Sequence, residues 1–404
     1  MARRILMVLE CNTFPSEGGG GAENQVRTLC RWLLGHGVPV SIAVPLTRDS
    51  PQREHDTVDG ATVWRIRYPR IRWLGGLVML TRLALYLIRH RGDYDVVHAH
   101  IAHNMATVSC IVGRMLGKTV IVKLTGWTEF EHGILTAGPG TLLRRLRRAA
   151  LKRASFIQAT SREIRDRLLE NGFDHEAIRV IPNAVDLARF RPLEPDMPGF
   201  NARAEGTLTA IYTGRLVPEK GLRDLVTAWG MAFPASRDVS LLIVGDGEMR
   251  DELHKMVTGL GRERQIHLLG GRHYLERLLP HAHFGILPSH YEGLSNTLLE
   301  YMACALPVLG TRVSGTVDLI QEGQSGWLVD AGDVHAMAHH LAHIGRMERS
   351  DLARMGRAAR RRVAARAGIE SVMARLAPLY GVSIPRPQTH RPAVASGESR
   401  QCVE

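Results

Sequence analysis

Short apolar runs alternate with helical patterns along the first half of the chain. The continuous apolar runs predict buried β-strands, and they are ILMVLE (5–10), VPVSIAV (38–44), YDVVHAH (94–100), TVIVKL (119–124) and SFIQAT (155–160). Between the first and second runs, residues 22–37 predict a helix with Val26, Leu29 and Leu33 on one face. Gly35 and Gly37 mark its end. This alternation indicates an α/β fold with a parallel sheet that helices cover on both faces.

The same alternation starts again after residue 206. Its apolar runs are TAIYTGRL (209–216), VSLLIVGDG (239–247), QIHLLG (265–270), HFGILPS (283–289) and LPVLGT (306–311). Residues 188–206, between the two series, are rich in proline and polar residues, which is typical of a domain boundary. We therefore predict two α/β domains, residues 1–190 and 206–366, with a cleft at the carboxyl ends of their sheets. Residues 382–404 have little apolar content and several prolines, which predicts a disordered tail.

Length and composition are those of a globular protein with two domains. The chain has 404 residues, of which 45% are hydrophobic and 23% charged. Its five cysteines are scattered, without a disulfide framework or metal-ligand spacing. The apolar run after the basic start stops at Glu10, which predicts a strand rather than a signal peptide. The most apolar stretch, residues 73–88, is too short to cross a bilayer and contains Arg82. We expect a cytoplasmic protein.

The net charge of +12 predicts attraction to anions, which include nucleic acids, membrane surfaces and phosphorylated substrates. A nucleic-acid binder would interleave aromatic residues with its cations, but aromatic content is only 5%. A helix over residues 142–154 would carry leucines and alanines on one face and six basic residues on the other. Together with the apolar, arginine-flanked residues 65–91, it predicts docking on an anionic bilayer. The alternative is an ordinary amphipathic helix that packs on the first sheet.

Glycines and cations at predicted strand ends suit a bound phosphate. GGGGAE (18–23), between the first strand and the first helix, lets the backbone approach a ligand near free helix N–H groups. Arg215 and Lys220 follow the first strand of the second domain, where both side chains can reach a diphosphate. The alternatives are a flexible loop for the glycines and solvated surface charges for the two cations.

Two carboxylates flank the segment GLSNTLL (293–299). Glu292 falls in a loop after a predicted strand, and Glu300 falls in the first turn of a predicted helix. Carboxylates accept paired hydrogen bonds from a diol, so this pair suits the hydroxyl groups of a ligand. The alternatives are an ordinary exposed acid for Glu292 and, for Glu300, a capping box formed by TLLE (297–300).

Polar residues end two further strands of the first domain. His98 and His100 lie on one face of a strand, where a histidine suits catalysis and a pair at this spacing is a weak metal signal. Thr125 and Gly126 follow the next strand and face the predicted cleft. In IPNAVDLARF (181–190), the asparagine and aspartate favour a turn.

Taken together, these segments resemble family 4 glycosyltransferases, which are retaining enzymes of the GT-B fold with two Rossmann-like domains facing each other across a cleft. The resemblance runs from Gly20 to about Tyr380 and rests on the order of GGAE, IPNAVD, GRLVPEKG, VGDGE and EGLSNTLLE, the last matching the family's E-x7-E element. It also implies a C-terminal helix, residues 367–381, that packs back on the first domain.

The resemblance implies roles for individual residues. Arg215, Lys220 and Glu292 would be the catalytic residues: the two cations would neutralise the donor diphosphate, and Glu292 would contact the donor sugar. Glu300 would hold the ribose hydroxyls within a larger donor-binding set: Gly20, Gly21, Gly271, Arg272, Gly293, Leu294, Ser295 and Glu300. Acceptor or sugar contacts would come from His100, Thr125 and Gly126.

The chain departs from the family pattern at two positions. Thr125 in KLTG stands where several members have a histidine, which puts a catalytic histidine at this site in doubt. Asp318 in SGTVDLI stands where the family often has glutamate. A threonine–glycine version also occurs in the family, so the first departure narrows the subfamily without excluding activity.

The implied activity is sugar transfer with retention of configuration, without a metal or cofactor and with a nucleotide-diphosphate sugar as co-substrate. If the protein docks on an anionic bilayer, the expected acceptor is a glycan or a lipid-linked glycan in cell-envelope or exopolysaccharide biosynthesis, at the inner face of the plasma membrane. A sugar-nucleotide epimerase of the same fold is the alternative enzyme, because it shares the cleft and needs no second sugar.

Overall fold

The computed structural model describes most of the chain: residues 3–11, 13–15, 20–71, 74–126, 128–131, 133, 135–136, 142–193, 207–272 and 274–383. Two parallel sheets divide these residues into two α/β units, as the apolar pattern predicts. The predicted tail falls outside the described residues from position 384 onward.

The first domain is built on eight strands. They are β1 Ile5–Leu9, β2 Val40–Pro45, β3 His55–Val58, β4 Ala61–Ile66, β5 Val96–His100, β6 Thr119–Leu124, β7 Phe156–Ala159 and β8 Ile178–Val180. Their order across the sheet is β3-β4-β2-β1-β5-β6-β7-β8, and only the edge pair β3–β4 is antiparallel. The five predicted strands are β1, β2, β5, β6 and β7, whose burial on both faces explains their continuous apolar sequences.

Helices cover both faces of this sheet. They are α1 Gly21–Gly35, α2 Leu74–Arg89, α3 Asn104–Met115, α4 Thr128–Glu131, α5 Leu142–Leu151 and α6 Arg162–Glu170. Helix α1 packs its apolar face, including Val26, Leu29 and Leu33, on one side of the sheet. Helices α2 and α3 contribute Leu83 and Met105 to the core on the other side.

The second domain is built on six parallel strands in the order β11-β10-β9-β12-β13-β14. Their bounds are β9 Leu208–Thr213, β10 Val239–Val244, β11 Ile266–Gly270, β12 Phe284–Leu287, β13 Val308–Thr311 and β14 Gly326–Val329. The helices are α7 Leu222–Ala232, α8 Arg250–Gly259, α9 Leu275–Leu278, α10 Asn296–Ala303, α11 Ser314–Leu319 and α12 Val334–Ile344.

The last two helices link the domains. Helix α13 (Arg349–Ala367) packs on the second domain, and α14 (Ile369–Tyr380) packs its apolar face into the core of the first. At the crossing, the backbone of Val185 exchanges hydrogen bonds of 2.9 Å with Ala367 and Ile369. A C-terminal helix therefore returns to the first domain.

None of the helices among the described residues is long and apolar enough to cross a membrane. The most apolar candidate from the sequence, residues 73–88, corresponds to α2, which has 16 residues and lies against the first sheet.

Candidate active site between the two domains

Lys220 and Glu292 form an ion pair at the carboxyl end of the second sheet. Lys220 ends the turn Pro218–Lys220 after β9, and Glu292 lies in the loop between β12 and α10. The Lys220 ammonium donates to Glu292 Oε1, which also accepts a hydrogen bond from Ser289 Oγ at 3.2 Å. Both side chains are largely buried, with 17% and 13% of their surfaces exposed. Two residues to which the sequence assigns catalysis therefore contact each other directly.

The turn after β9 and the loop after β12 are held together through their backbones. Gly221 adopts a left-handed φ of 65°, and a Cβ at this position would lie 2.0 Å from the carbonyl oxygen of Pro288. The backbone N–H of His290 donates to the carbonyl of Glu219 at 2.9 Å. These contacts fix the distance between the two segments that carry the ion pair.

Arg215 lies at the end of β9, and its side chain is 71% exposed. Its guanidinium pairs with Glu219 Oε1 at 3.2 Å, and its carbonyl accepts a hydrogen bond from the Tyr212 hydroxyl at 2.8 Å. The structure thus fixes the backbone of Arg215 and leaves its guanidinium accessible to an anionic ligand.

Glu300 lies on α10 in a partly buried position. Burial raises the pKa of its carboxyl group to about 7; the charge of Arg189 opposes this rise and the charge of Glu276 adds to it. Arg189, in the connection between the two domains, forms an ion pair of 3.0 Å with Glu276 on α9. The Glu300 carboxyl group therefore titrates near neutral pH.

The predicted capping box TLLE is not formed, because α10 begins at Asn296 with Ser295 at its N-cap. Thr297 lies inside the helix, and its hydroxyl donates to the carbonyl of Thr213 at 3.2 Å. Helix capping therefore does not explain Glu300, and the structural alternative considered from the sequence was wrong.

The loop that follows Glu292 touches the first domain at Gly293. A Cβ on Gly293 would lie 1.9 Å from the carbonyl oxygen of Thr125 and 2.7 Å from Cα of Gly126. On its other side, the carbonyl of Gly293 accepts the backbone N–H of Gly315 at 2.7 Å. The structure thus brings together three predicted residues from the two domains, and only glycine fits at their contact.

A side-chain network centred on Asn296 joins the domains beside this contact. Its Nδ2 donates to the carbonyl of Gly21 at 2.8 Å, and its Oδ1 accepts from Asn183 at 2.8 Å and from Gln25 at 3.1 Å. Asn183 also donates to the carbonyl of Leu294 at 3.0 Å. The sequence predicted only a turn at Asn183 and gave no signal for Gln25, whose partners are distant along the chain.

The remaining residues predicted to bind the donor lie near this network or at the exposed end of β11. Gly20 is the N-cap of α1, and the backbone N–H groups of the first helical turn after it have no carbonyl partner within the helix. Ser295 is 9% exposed and precedes α10. Gly271 and Arg272 follow β11 and are exposed, and the described residues show no hydrogen bond or ion pair from the Arg272 side chain.

His100 does not lie on the cleft surface. It is 1% exposed, its ring packs against His98 at 4.1 Å between centroids, and its Nε2 lies 3.2 Å from Met7 Sδ. Burial lowers the pKa of His100 well below its usual range and that of His98 to about 3, so both rings are neutral. The expected acceptor contact by His100 is wrong for this conformation, because strand β5 points this side chain into the core.

The described residues contain no cluster of three or more histidine, cysteine, aspartate or glutamate side chains arranged to hold a metal ion. His98 and His100 instead have a lysine neighbour, Lys123, across the β5–β6 pairing.

Two sequence profiles cover most of the chain. The profile described as "Glycosyltransferase Family 4" matches residues 19–189, and the profile "Glycosyl transferases group 1" matches residues 195–362. Among relatives, the N-acetyl-alpha-D-glucosaminyl L-malate synthase of Bacillus anthracis is 26% identical over 262 residues, which cover 64% of this chain and 67% of that protein. An Escherichia coli enzyme, UDP-Gal:alpha-D-GlcNAc-diphosphoundecaprenol alpha-1,3-galactosyltransferase, is 25% identical over 66% of this chain and 70% of its own.

Solved structures share the fold. Anabaena HepE in complex with UDP and glucose has a TM-score of 0.74 and 19% identity, and the match covers 94% of this chain and 99% of HepE. Sucrose-phosphate synthase from Thermosynechococcus elongatus has a TM-score of 0.74 and 20% identity, over 94% of this chain and 98% of its own. These matches support the GT-B arrangement of two Rossmann-like domains that the resemblance implied. With both domains matched to their profiles, the chain belongs to the family 4 glycosyltransferases.

Proposed function

We propose that this glycosyltransferase moves a sugar from a nucleotide-diphosphate sugar to a hydroxyl of a glycan or lipid-linked acceptor, with retention of configuration and without a metal. The observation that carries the proposal is the Lys220–Glu292 ion pair beside the contact of Gly293 with Thr125. The E. coli relative is named for transfer from UDP-galactose to a diphosphoundecaprenol-linked sugar, which supports this donor and acceptor class. Cell-envelope or exopolysaccharide synthesis is the process that such an acceptor suggests.

The donor diphosphate would bind between Lys220, Arg215 and the first turn of α1 at Gly20–Gly21. Negative charge grows on the diphosphate as the glycosidic bond breaks, and fixed cations and helix N–H groups stabilise it more than the ground state. Glu300 would accept hydrogen bonds from the ribose hydroxyls, and Glu292 would accept them from the sugar. Gly271 and Arg272 would border the base.

The transfer itself needs no protein nucleophile in this arrangement. The bond from the anomeric carbon to the phosphate oxygen breaks, and the acceptor oxygen forms its bond to the same face of that carbon. The acceptor proton passes to the departing phosphate. A double displacement would require two carboxylates about 5 Å apart at the sugar, whereas Glu292 is engaged with Lys220 and Glu300 is assigned to the ribose.

A thermal-shift screen of UDP-, GDP- and ADP-sugars tests the donor class, because a ligand that binds the folded state raises the unfolding temperature by mass action. At least one sugar nucleotide should stabilise the protein, and the matching donor should lose its sugar only in the presence of an acceptor. Conversion of the donor to an isomeric sugar nucleotide without acceptor would support an epimerase instead.

We also propose that the first domain docks on the anionic inner face of the plasma membrane. Three leucines on α5 are exposed: Leu142 by 74%, Leu143 by 55% and Leu146 by 59%. An ordinary amphipathic helix packed on the first sheet, the alternative that the sequence left open, would bury them. Helix α3 lies between α2 and α5, and the three helices expose further large apolar residues: Leu74, Leu77, Leu85, Ile88, Ile111 and Met115. The basic side chains of α5 surround these leucines, which suits an anionic lipid surface.

Co-sedimentation with vesicles tests this surface. Wild-type protein should bind vesicles that contain phosphatidylglycerol and lose binding at high salt, because each basic residue near the surface contributes about 1 kcal/mol. Replacing Leu142, Leu143 and Leu146 together by serine should abolish binding, whereas Met231→Ser, at an exposed residue of the second domain, should not. Equal binding to neutral and anionic vesicles would overturn the proposal.

A further inference from the structure

Glu129 is a fully buried carboxylate to which no role has yet been assigned. It lies on α4, just after β6, with 0% of its surface exposed. Its Oε1 accepts hydrogen bonds from the backbone N–H and the hydroxyl of Thr125 at 3.0 and 3.1 Å, and its Oε2 accepts from the N–H of Gly126 at 2.9 Å. Both oxygens are thus used to hold one turn at the end of β6.

This turn is the part of the first domain that meets the loop after Glu292. The carbonyl of Thr125 and Cα of Gly126 lie so close to Gly293 that no side chain fits between them. Gly293 is fixed from the opposite side by the N–H of Gly315. A shift of the turn would therefore displace the loop or open the contact between the domains.

A buried lysine lies directly beneath the turn. Lys123 is on β6, two residues before Thr125, and is 1% exposed. Burial lowers its pKa to about 7, and the negative charge of Glu129 opposes that decrease. The titratable neighbours on β5, His98 and His100, are neutral because burial lowers the pKa of each ring. Glu129 is therefore the anion that stabilises the charged form of Lys123.

A buried charge is costly unless opposite charge or hydrogen bonds compensate it. Glu129 is compensated by three hydrogen bonds to the turn and by the field of Lys123, so removing either charge changes the energy of the turn. The arrangement concentrates this compensation at a contact between the two domains that lies beside the proposed sugar site.

We propose that Glu129, supported by Lys123, is a positioning residue for sugar transfer. It fixes the Thr125–Gly126 turn as the wall against which the Gly293 loop closes, and so aligns the acceptor hydroxyl with the donor sugar. The inference rests on the proposed function, because it takes this contact to border the reacting groups. Misplacement by about 1 Å can cost about a hundredfold in rate, so a small shift of the turn is sufficient.

The test compares Glu129→Gln with the wild type. A glutamine NH₂ cannot accept the hydrogen bond that one carboxylate oxygen now accepts, while the shape is preserved. We expect kcat to fall by about tenfold to a hundredfold, with the donor dissociation constant unchanged within about twofold. Amide hydrogen exchange at residues 125 and 126 should be faster in the variant, and this measurement requires no acceptor.

A matched control is Glu10→Gln, since Glu10 also accepts a backbone N–H, that of Met105, at 2.8 Å but caps α3. Its kcat should stay near the wild-type value. The double variant Lys123→Met/Glu129→Gln should be no slower than the more impaired single variant, because both act through one turn.

The outcomes separate this inference from the proposed function. If the wild type transfers sugar and Glu129→Gln retains kcat and normal exchange at the turn, the positioning role is overturned. A variant that loses donor affinity and also unfolds at a lower temperature would overturn it as well, because these losses together indicate a purely structural residue. If the wild type transfers no sugar from any donor, the proposed function fails, and unchanged exchange in the variant would then overturn the positioning role separately.

Discussion

Lys220 and Glu292 neutralise each other at the carboxyl end of the second sheet, with the lysine ammonium hydrogen-bonded to Glu292 Oε1. Both groups are largely withdrawn from water, so each stabilises the charge of the other. A diphosphate would compete with Glu292 for the ammonium, and the released carboxylate could then accept hydrogen bonds from sugar hydroxyls. The pair would thereby couple recognition of the phosphate to recognition of the sugar.

Replacing Lys220 by alanine should lower kcat by about a hundredfold or more, because one preorganised cation at the departing diphosphate is worth about 2.7–4 kcal/mol. The fold should persist, as judged by circular dichroism. Arg223→Ala is the matched control, since Arg223 is a neighbouring cation that is 59% exposed and paired with Glu252. A near-normal rate for Lys220→Ala would remove this lysine from the mechanism.

Glu292→Gln should separate nucleotide binding from transfer. Loss of the carboxylate charge leaves Lys220 free to bind a diphosphate. The variant should therefore bind the nucleoside diphosphate product at least as tightly as the wild type does. Transfer should nevertheless slow by at least about tenfold, because a sugar contact that strengthens in the transition state is lost. Calorimetry with UDP, GDP or ADP and steady-state rates provide the two measurements. Weaker nucleotide binding together with a normal rate would contradict the proposed competition.

Glu300→Gln should make stability less dependent on pH. The pKa of Glu300 is raised from 4.5 to about 7, so between these values the folded state binds more protons than the unfolded state. Wild-type stability from this group is therefore lost as the pH rises through that window. We expect the variant to exceed the wild type by on the order of 1–3 kcal/mol near pH 8 and to match it near pH 4.

Urea denaturation at the two pH values measures this difference. A constant offset between wild type and variant would show that the carboxyl group of Glu300 does not titrate near neutral pH. The variant should also bind the donor more weakly, because a neutral amide replaces the carboxylate that accepts the ribose hydroxyls.

Gly293→Ala should destabilise the contact between the domains. The added methyl would lie 1.9 Å from the carbonyl oxygen of Thr125, a backbone atom that has little freedom to move. We expect a loss of about 1–4 kcal/mol in stability or a measurable opening of the two domains in small-angle scattering. Gly126→Ala is the matched variant, because the nearest atoms to its Cβ are 3.8–4.0 Å away, and its stability should be unchanged. Equal effects of the two substitutions would contradict the observed packing.

The fold was predictable where burial is uniform along an element. Strands β1 and β5 are buried throughout, β6 is buried after its first residue, and the sequence of each was identified as an apolar run. Strands β3 and β4 were missed because neither is uniformly buried. In β3, the edge strand, HDTV alternates exposed with partly buried residues, and in β4 exposed and partly buried residues interrupt the buried ones. Strand β8 has only three residues and ends at Val180, directly before the IPNAVD segment.

The site was predictable at the level of residues but not of their contacts. The order of motifs pointed to Lys220 and Glu292, yet their pairing across 72 residues depends on two loops meeting in space. His100 was misjudged because a polar residue at a strand end can point into the core as well as into the cleft. Asn183 gave only a turn signal and Gln25 gave none, since a side chain that bonds to a distant backbone leaves no periodic pattern in the sequence.

The most direct test of the central proposal is the anomeric configuration of the product, measured by NMR during transfer from an α-linked sugar nucleotide identified in the thermal-shift screen. The mechanism predicts an α-linked glycoside in the wild type and almost no product from Lys220→Ala. A β-linked product, or an isomerised sugar nucleotide formed without acceptor, would contradict retaining transfer at the Lys220–Glu292 site.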